Sequence, residues 1–204
     1  MFELLQSGGA IMAVIFVFSL VGLAAFFERL FALRRGRVVP ESMRIELLEL
    51  VRQGRLADAI TTCRKDDGPL GRVVEVIVAH AGQPRADIKE LAEEVGRRES
   101  ADLERFTGVV GIVASVAPLL GLLGTVWGMI QTFDVIQANG MGDIGRMAGG
   151  ISTALVTTFG GLSVGIPALM GHRYLLSRVD ELTLELEEAS LYILDNLGPK
   201  ADQG

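Results

Sequence analysis

The side chains with a capacity for ion chemistry in the apolar parts of this chain are hydroxyls. Ser115, Thr125 and Thr132 fall on one face of a helix drawn through residues 107–133, with Pro118, Leu122 and Met129 between them at spacings of three and four. On a helix over 147–171, Thr153, Thr157 and Gly160 share one face, and Ala154, Thr158, Gly161 and Gly165 share another about 100° away. Ser19, Ser152 and Ser163 complete the set. A hydroxyl donates and accepts without carrying charge, so such groups can guide a proton or coordinate a cation. Taken singly, each is equally explained by a bond to its own backbone or a neighbouring helix, worth about 1 kcal/mol or less. A set on two helices with no charge beside it points to a polar interior path.

Other reactive constellations are missing. His80 and His172 stand alone, and each is expected in solvent or at a headgroup. The single cysteine, Cys63, excludes a disulfide framework and a cysteine-cluster metal site, and reads as a buried or half-buried thiol. No P-loop, nucleophile elbow or histidine-pair motif is present, so neither catalysis nor a cofactor nor a metal is expected. A net charge of −6 excludes a basic nucleic-acid footprint.

The elements that position the hydroxyls are three charge-free stretches: Leu4 to Phe27, Thr107 to Phe133 and Met147 to Gly171. Each exceeds the roughly 20 residues a helix needs to cross a bilayer. The first lacks a preceding Lys or Arg and a small-x-small cleavage site, so it reads as an uncleaved anchor. Arg29, Arg34, Arg35 and Arg37 follow span one, Arg97, Arg98 and Arg105 precede span two, and Arg173 and Arg178 follow span three. The positive-inside rule then puts the N-terminus and residues 134–148 outside, and residues 28–106 and 172–204 inside. The expected divisions are 1–27, 28–106, 107–133, 134–148, 149–171 and 172–204.

Residues 28–106 carry 15 basic and 15 acidic side chains, a neutral insert in an all-α chain. Pro40, Pro69 and Pro84 stand where helices begin, and Gly36, Gly54, Gly68 and Gly82 punctuate them. Three or four short helices are expected, the last running from about Pro84 through Phe106 straight into span two. Beyond span three, Leu175, Val179, Leu182, Leu186, Ala189 and Ile193 form a heptad-like seam. It reads as one helix packed against the insert, with a seam between subunits as the alternative.

Glycine, 25 of 204 residues, concentrates in the spans. Gly124-x-x-x-Gly128 and Gly161-x-x-x-Gly165 permit close helix approach, while Pro118 and Pro167 free a carbonyl and favour bends. Tight packing with local bends suits an oligomer that encloses something. If such an assembly conducts protons, the titrating group must come from another chain, because the spans hold none.

The run Ala117-Pro-Leu-Leu-Gly-Leu-Leu-Gly-Thr-Val-Trp-Gly-Met-Ile, ending at Ile130, resembles the second-span signature of the ExbB/TolQ/MotA proton-channel family. GISTALVTTFGGLSVGIPA, from Gly150 to Ala168, resembles its third-span signature. Phe27-Glu-Arg-Leu, Leu56-Ala-Asp-Ala-Ile and Cys63-Arg64 resemble the ExbB/TolQ branch, ExbB most closely. The resemblance implies a multi-pass protein of the bacterial inner membrane. Its three transmembrane helices and long cytoplasmic helices would assemble as a ring, typically a pentamer, around a dimer of single-span ExbD/TolR-like partners carrying an essential aspartate. It implies a proton-driven motor that energises outer-membrane transport through a TonB-like protein. TolQ-like envelope maintenance, gliding or secretion motors and a non-conducting scaffold are the alternatives, and sodium is a conceivable coupling ion. Thr125 and Thr158 match the family's channel threonines, and Pro118 and Pro167 its lumen-shaping prolines. Ser115, Thr132, Thr153 and Thr157 are further candidates for polar lining. Where many ExbB-like chains carry a glutamate, five positions before the third-span threonine, this one has Thr153, so no carboxylate role carries over.

Overall fold

The computed structural model describes residues 9–140 and 144–197, and among these the regular structure is helical throughout. The expected outer N-terminus with Glu3, the centre of the outer connection with Asp143, and the end of the tail lie outside the described residues. The helices are α1 (Gly9–Ala32), α2 (Arg35–Val38), α3 (Glu41–Arg52), α4 (Leu56–Lys65), α5 (Pro69–Ala79), α6 (Arg85–Glu104), α7 (Thr107–Asn139) and α8 (Ile144–Asn196). They form two compact units. One takes the chain up to Arg29 together with Phe106–Leu175, the other Leu30–Arg105 together with the chain from Leu176.

The first unit holds the hydroxyl-bearing stretches. Its helices α1, α7 and α8 are each long and apolar enough to cross a membrane. Such helices gain nothing from hiding apolar surface from one another in lipid, so backbone proximity must hold them together. Small residues on α7 provide it: Ala117, Gly121, Gly124 and Gly128 are buried along one stripe against Gly150, Ala154, Thr157 and Gly161 of α8. A methyl at Gly128 would stand 2.5 Å from the Gly150 carbonyl oxygen, and one at Gly161 2.5 Å from that of Ala117. The large residues point away: Leu119, Leu123, Val126, Leu155 and Phe159 are more than half exposed. Helix α1 buries only Ile15, Gly22 and Arg29, a stripe at spacing seven.

The second unit has an apolar core of Leu47, Leu70, Val73, Ile77, Leu182, Leu186 and Ile193. Pro69 opens α5 from inside its first turn, and Pro40 and Pro84 stand just before α3 and α6. Gly54 and Gly82 end α3 and follow α5 at φ +72° and +100°, the left-handed conformation that lets a helix stop cheaply. Glu99, nearly buried, receives two 2.6 Å bonds from the Arg72 guanidinium, which also reaches Asp67.

Two expectations change, and one alternative is resolved. The insert holds five helices, with α2 a single turn. The helix that begins after Pro84 does not run into span two: α6 ends at Glu104, and Phe106 turns the chain at φ +66° before α7 starts. No glycine or proline marks this break. The Arg29 guanidinium lies over the Phe106 ring, 5.4 Å from its centroid. The heptad seam finds its partner within the chain: Val179, Leu182, Leu186, Ala189 and Ile193 are buried, and Arg35–Glu185 and Arg52–Asn196 bonds of 2.7 and 2.9 Å flank them.

Candidate functional site

The hydroxyls of α7 and α8 divide into two groups by where the glycine seam puts them. Thr132 and Thr157 are buried inside the pair, 5% and 0% exposed. Thr132 Oγ1 donates to the Gly128 carbonyl at 3.0 Å, and Thr157 Oγ1 has the carbonyls of Thr153 and Ala154 at 2.8 and 3.0 Å. Gly124 and Gly150 make room for them: a methyl on Gly124 would coincide with the Thr157 side chain, and one on Gly150 would collide with Thr132 Oγ1. These two hydroxyls occupy the interior of the helix pair rather than an open face.

Ser115, Thr125, Thr153 and Thr158 keep exposed or half-buried positions. Ser115 bonds the carbonyls of Gly111 and Ile112, both at 3.0 Å, and Thr153 bonds that of Gly149 at 3.1 Å. Thr125 Oγ1 donates to the Leu122 carbonyl at 2.6 Å. Thr158 differs from all of them. Its hydroxyl has the Ala154 carbonyl at 3.0 Å on its own helix and the Gly121 carbonyl at 3.3 Å on α7. Gly121 permits this approach, since a methyl there would stand 3.2 Å from Thr158 Cα. Gly121 lies one helical turn from Thr125, so the structure brings Thr125 and Thr158 to neighbouring turns of the pair.

The geometry fixes what these hydroxyls can offer. Each has one proton, already committed to a backbone carbonyl, and two lone pairs. They present acceptors to an incoming group, and donate only by giving up a bond they hold.

The prolines part company as well. The Pro118 ring packs into the seam, 2.5 Å from where a Gly165 methyl would be. Pro167 is exposed on α8, beside α1. Both helices continue through their prolines. His172, at the end of span three, is part-buried: its ring lies against Gly111 and its Nδ1 donates to the Thr107 carbonyl at 3.1 Å. A methyl at Gly111 would stand 3.0 Å from the imidazole, so glycine there eases the approach. Cys63 is buried in the second unit, where desolvation and the Glu75 carboxylate push its thiol up to about 12.

Three helices able to cross a membrane and a close-packed glycine seam between two of them define an all-helical membrane protein. The match to the MotA/TolQ/ExbB proton channel family covers residues 65–188, and the chain belongs to that family. It is 28% identical over 180 residues to a biopolymer transport protein ExbB homologue of Methanothermobacter thermautotrophicus, covering 88% of this chain and 64% of that one. It is 32% identical over 146 residues to the biopolymer transport protein ExbB of Neisseria gonorrhoeae, 65% of this chain and 66% of that one. The Tol-Pal system protein TolQ of Haemophilus influenzae is 38% identical over 85 residues, 42% of this chain and 37% of its own. The chain thus spans about two thirds of the length of the two ExbB relatives.

Proposed function

We propose that this chain is an ExbB-type subunit of a proton-driven motor in the bacterial inner membrane. In this reading residues 28–106 and 172–204 face the cytoplasm, and five copies form a ring around a dimer of single-span, ExbD-like partners. The observation that carries it is the hydroxyl pair of Thr125 and Thr158 on neighbouring turns of spans that hold no ionisable side chain. The titrating group is then a partner aspartate. Because both hydroxyls already donate to carbonyls, their free lone pairs favour a protonated carboxyl, which donates, over a carboxylate, which needs donors. Loading the aspartate would hold it at this level, and release of the proton would free it to move. Repetition of that cycle around the ring would turn the inner helices and, through a TonB-like protein, energise outer-membrane transport.

The chain co-expressed with an aspartate-bearing partner and placed in liposomes gives the test. Thr158→Val should slow proton uptake about tenfold, the effect of losing an interaction of about 1.4 kcal/mol, while the ring still assembles. Unchanged uptake removes Thr158 from the path, and uptake that follows sodium instead makes Na⁺ the coupling ion. The TolQ similarity favours a second reading, a motor serving envelope maintenance, which differs in the partner engaged and not in the proton chemistry.

A further inference from the structure

A cleft of about 250 Å³ opens between all three helices of the first unit, on the α1 side of the pair, and neither Thr125 nor Thr158 lines it. Its walls are held by two close approaches: a methyl at Gly22 would stand 3.0 Å from Val113 Cγ1, and one at Gly171 3.0 Å from the Phe26 ring. Most of the lining is apolar, but Ser19 and Ser163 face into the cleft from α1 and α8. Among the described residues neither serine has a hydrogen-bond partner, in contrast to Thr125, Thr132, Thr157 and Thr158, whose hydroxyls bond backbone carbonyls. Pro167, also in the lining, has no N–H to give the carbonyl four residues earlier, and that carbonyl belongs to Ser163. Two hydroxyls and one carbonyl without its helical donor therefore share a cleft that is otherwise apolar.

Unmet backbone and hydroxyl groups at membrane depth must be satisfied by neighbouring protein or by water. A water site needs room and two to four polar partners, and this cleft supplies both. We propose that it is a water-binding site: an aqueous inlet that enters beside Phe26 and Gly171, next to the arginine-rich end of the spans, and reaches Ser163. Along α8 that depth is eight residues, about 12 Å. Water there donates to the Ser163 carbonyl and bridges the two serine hydroxyls. An acyl chain filling the same space would leave all three oxygens unmet. The inlet would carry solvent, and with it protons, to mid-membrane depth, yet the site stands on the cleft itself whether or not the chain conducts.

The test is cysteine accessibility in the full chain, in sealed vesicles and a Cys63→Ala background. A charged methanethiosulfonate reagent reacts with thiols that meet water and not with thiols in hydrocarbon. Ser19→Cys and Ser163→Cys should label from the arginine-rich side at least ten times faster than Leu20→Cys and Leu162→Cys, which stand on exposed apolar faces. Equal rates at all four positions, whether slow or fast, overturn the proposal. The unsubstituted chain gives an independent measure: in bilayers, magnetisation transfer from water in solid-state NMR should reach Ser19 and Ser163 and not Leu20 or Leu162. Transfer that misses both serines means an acyl chain fills the cleft and also overturns the water site. Neither readout depends on proton transport, so its failure is separate from failure of the motor reading.

Discussion

The Thr157 side chain occupies the space that a methyl group on Gly124 would need. This one contact ties the glycine excess to the threonine set, since the residue without a side chain on α7 is what allows a buried hydroxyl on α8. Gly124→Ala should therefore cost about 1–3 kcal/mol through overpacking. Thermal unfolding in detergent measures it, and the combination with Thr157→Gly should recover part of the loss. A strictly additive double variant would show that the two positions do not touch.

Adjacent threonines on α8 should separate packing from ion passage. Thr157→Val keeps the shape and loses a bond to its own helix, so stability should change by about 1 kcal/mol or less with proton uptake retained. Thr158→Val should do the reverse. Liposome uptake and melting of the two variants, measured side by side, check the division.

Cys63 should be inert in the folded chain at pH 8 and alkylate readily once the chain is unfolded, because burial and Glu75 push its thiol up from the usual value to about 12. The sign of the linked pH effect follows. Above about pH 9 the unfolded chain releases a thiol proton that the folded chain keeps, so stability falls as pH rises from about 9 towards 12. Cys63→Ala should flatten that decline, read from unfolding midpoints across the range.

In the second unit, Arg72→Ala strands the Glu99 carboxylate, which is 8% exposed. The expected loss is about 2 kcal/mol, below the 3–5 kcal/mol of a fully buried pair because the arginine itself is 40% exposed. Replacing both with methionine should restore most of it. Denaturant midpoints of the three variants decide.

Much of this was legible in the residues. Long runs without charge read as membrane helices, because a bilayer sets a minimum length and excludes unpaired ions, and the two signature runs identified the family. Proline and glycine placed most of the insert's helices for local reasons, a fixed φ at the start and a left-handed stop at the end. Periodicity also showed that residues 175–193 pack against something. It could not say against what, since a heptad describes one surface of a contact and the insert supplied the other. The break at Phe106 escaped for a similar reason: nothing local demands it, and its aromatic contact with Arg29 comes from a distant part of the chain. The same holds for the hydroxyls. Spacing put Thr132 with Thr125, and Thr157 with Thr153, on common faces. Only the glycine seam, which joins residues about 30 positions apart, decided that Thr132 and Thr157 are packed inside while Thr125 and Thr158 stay half-buried.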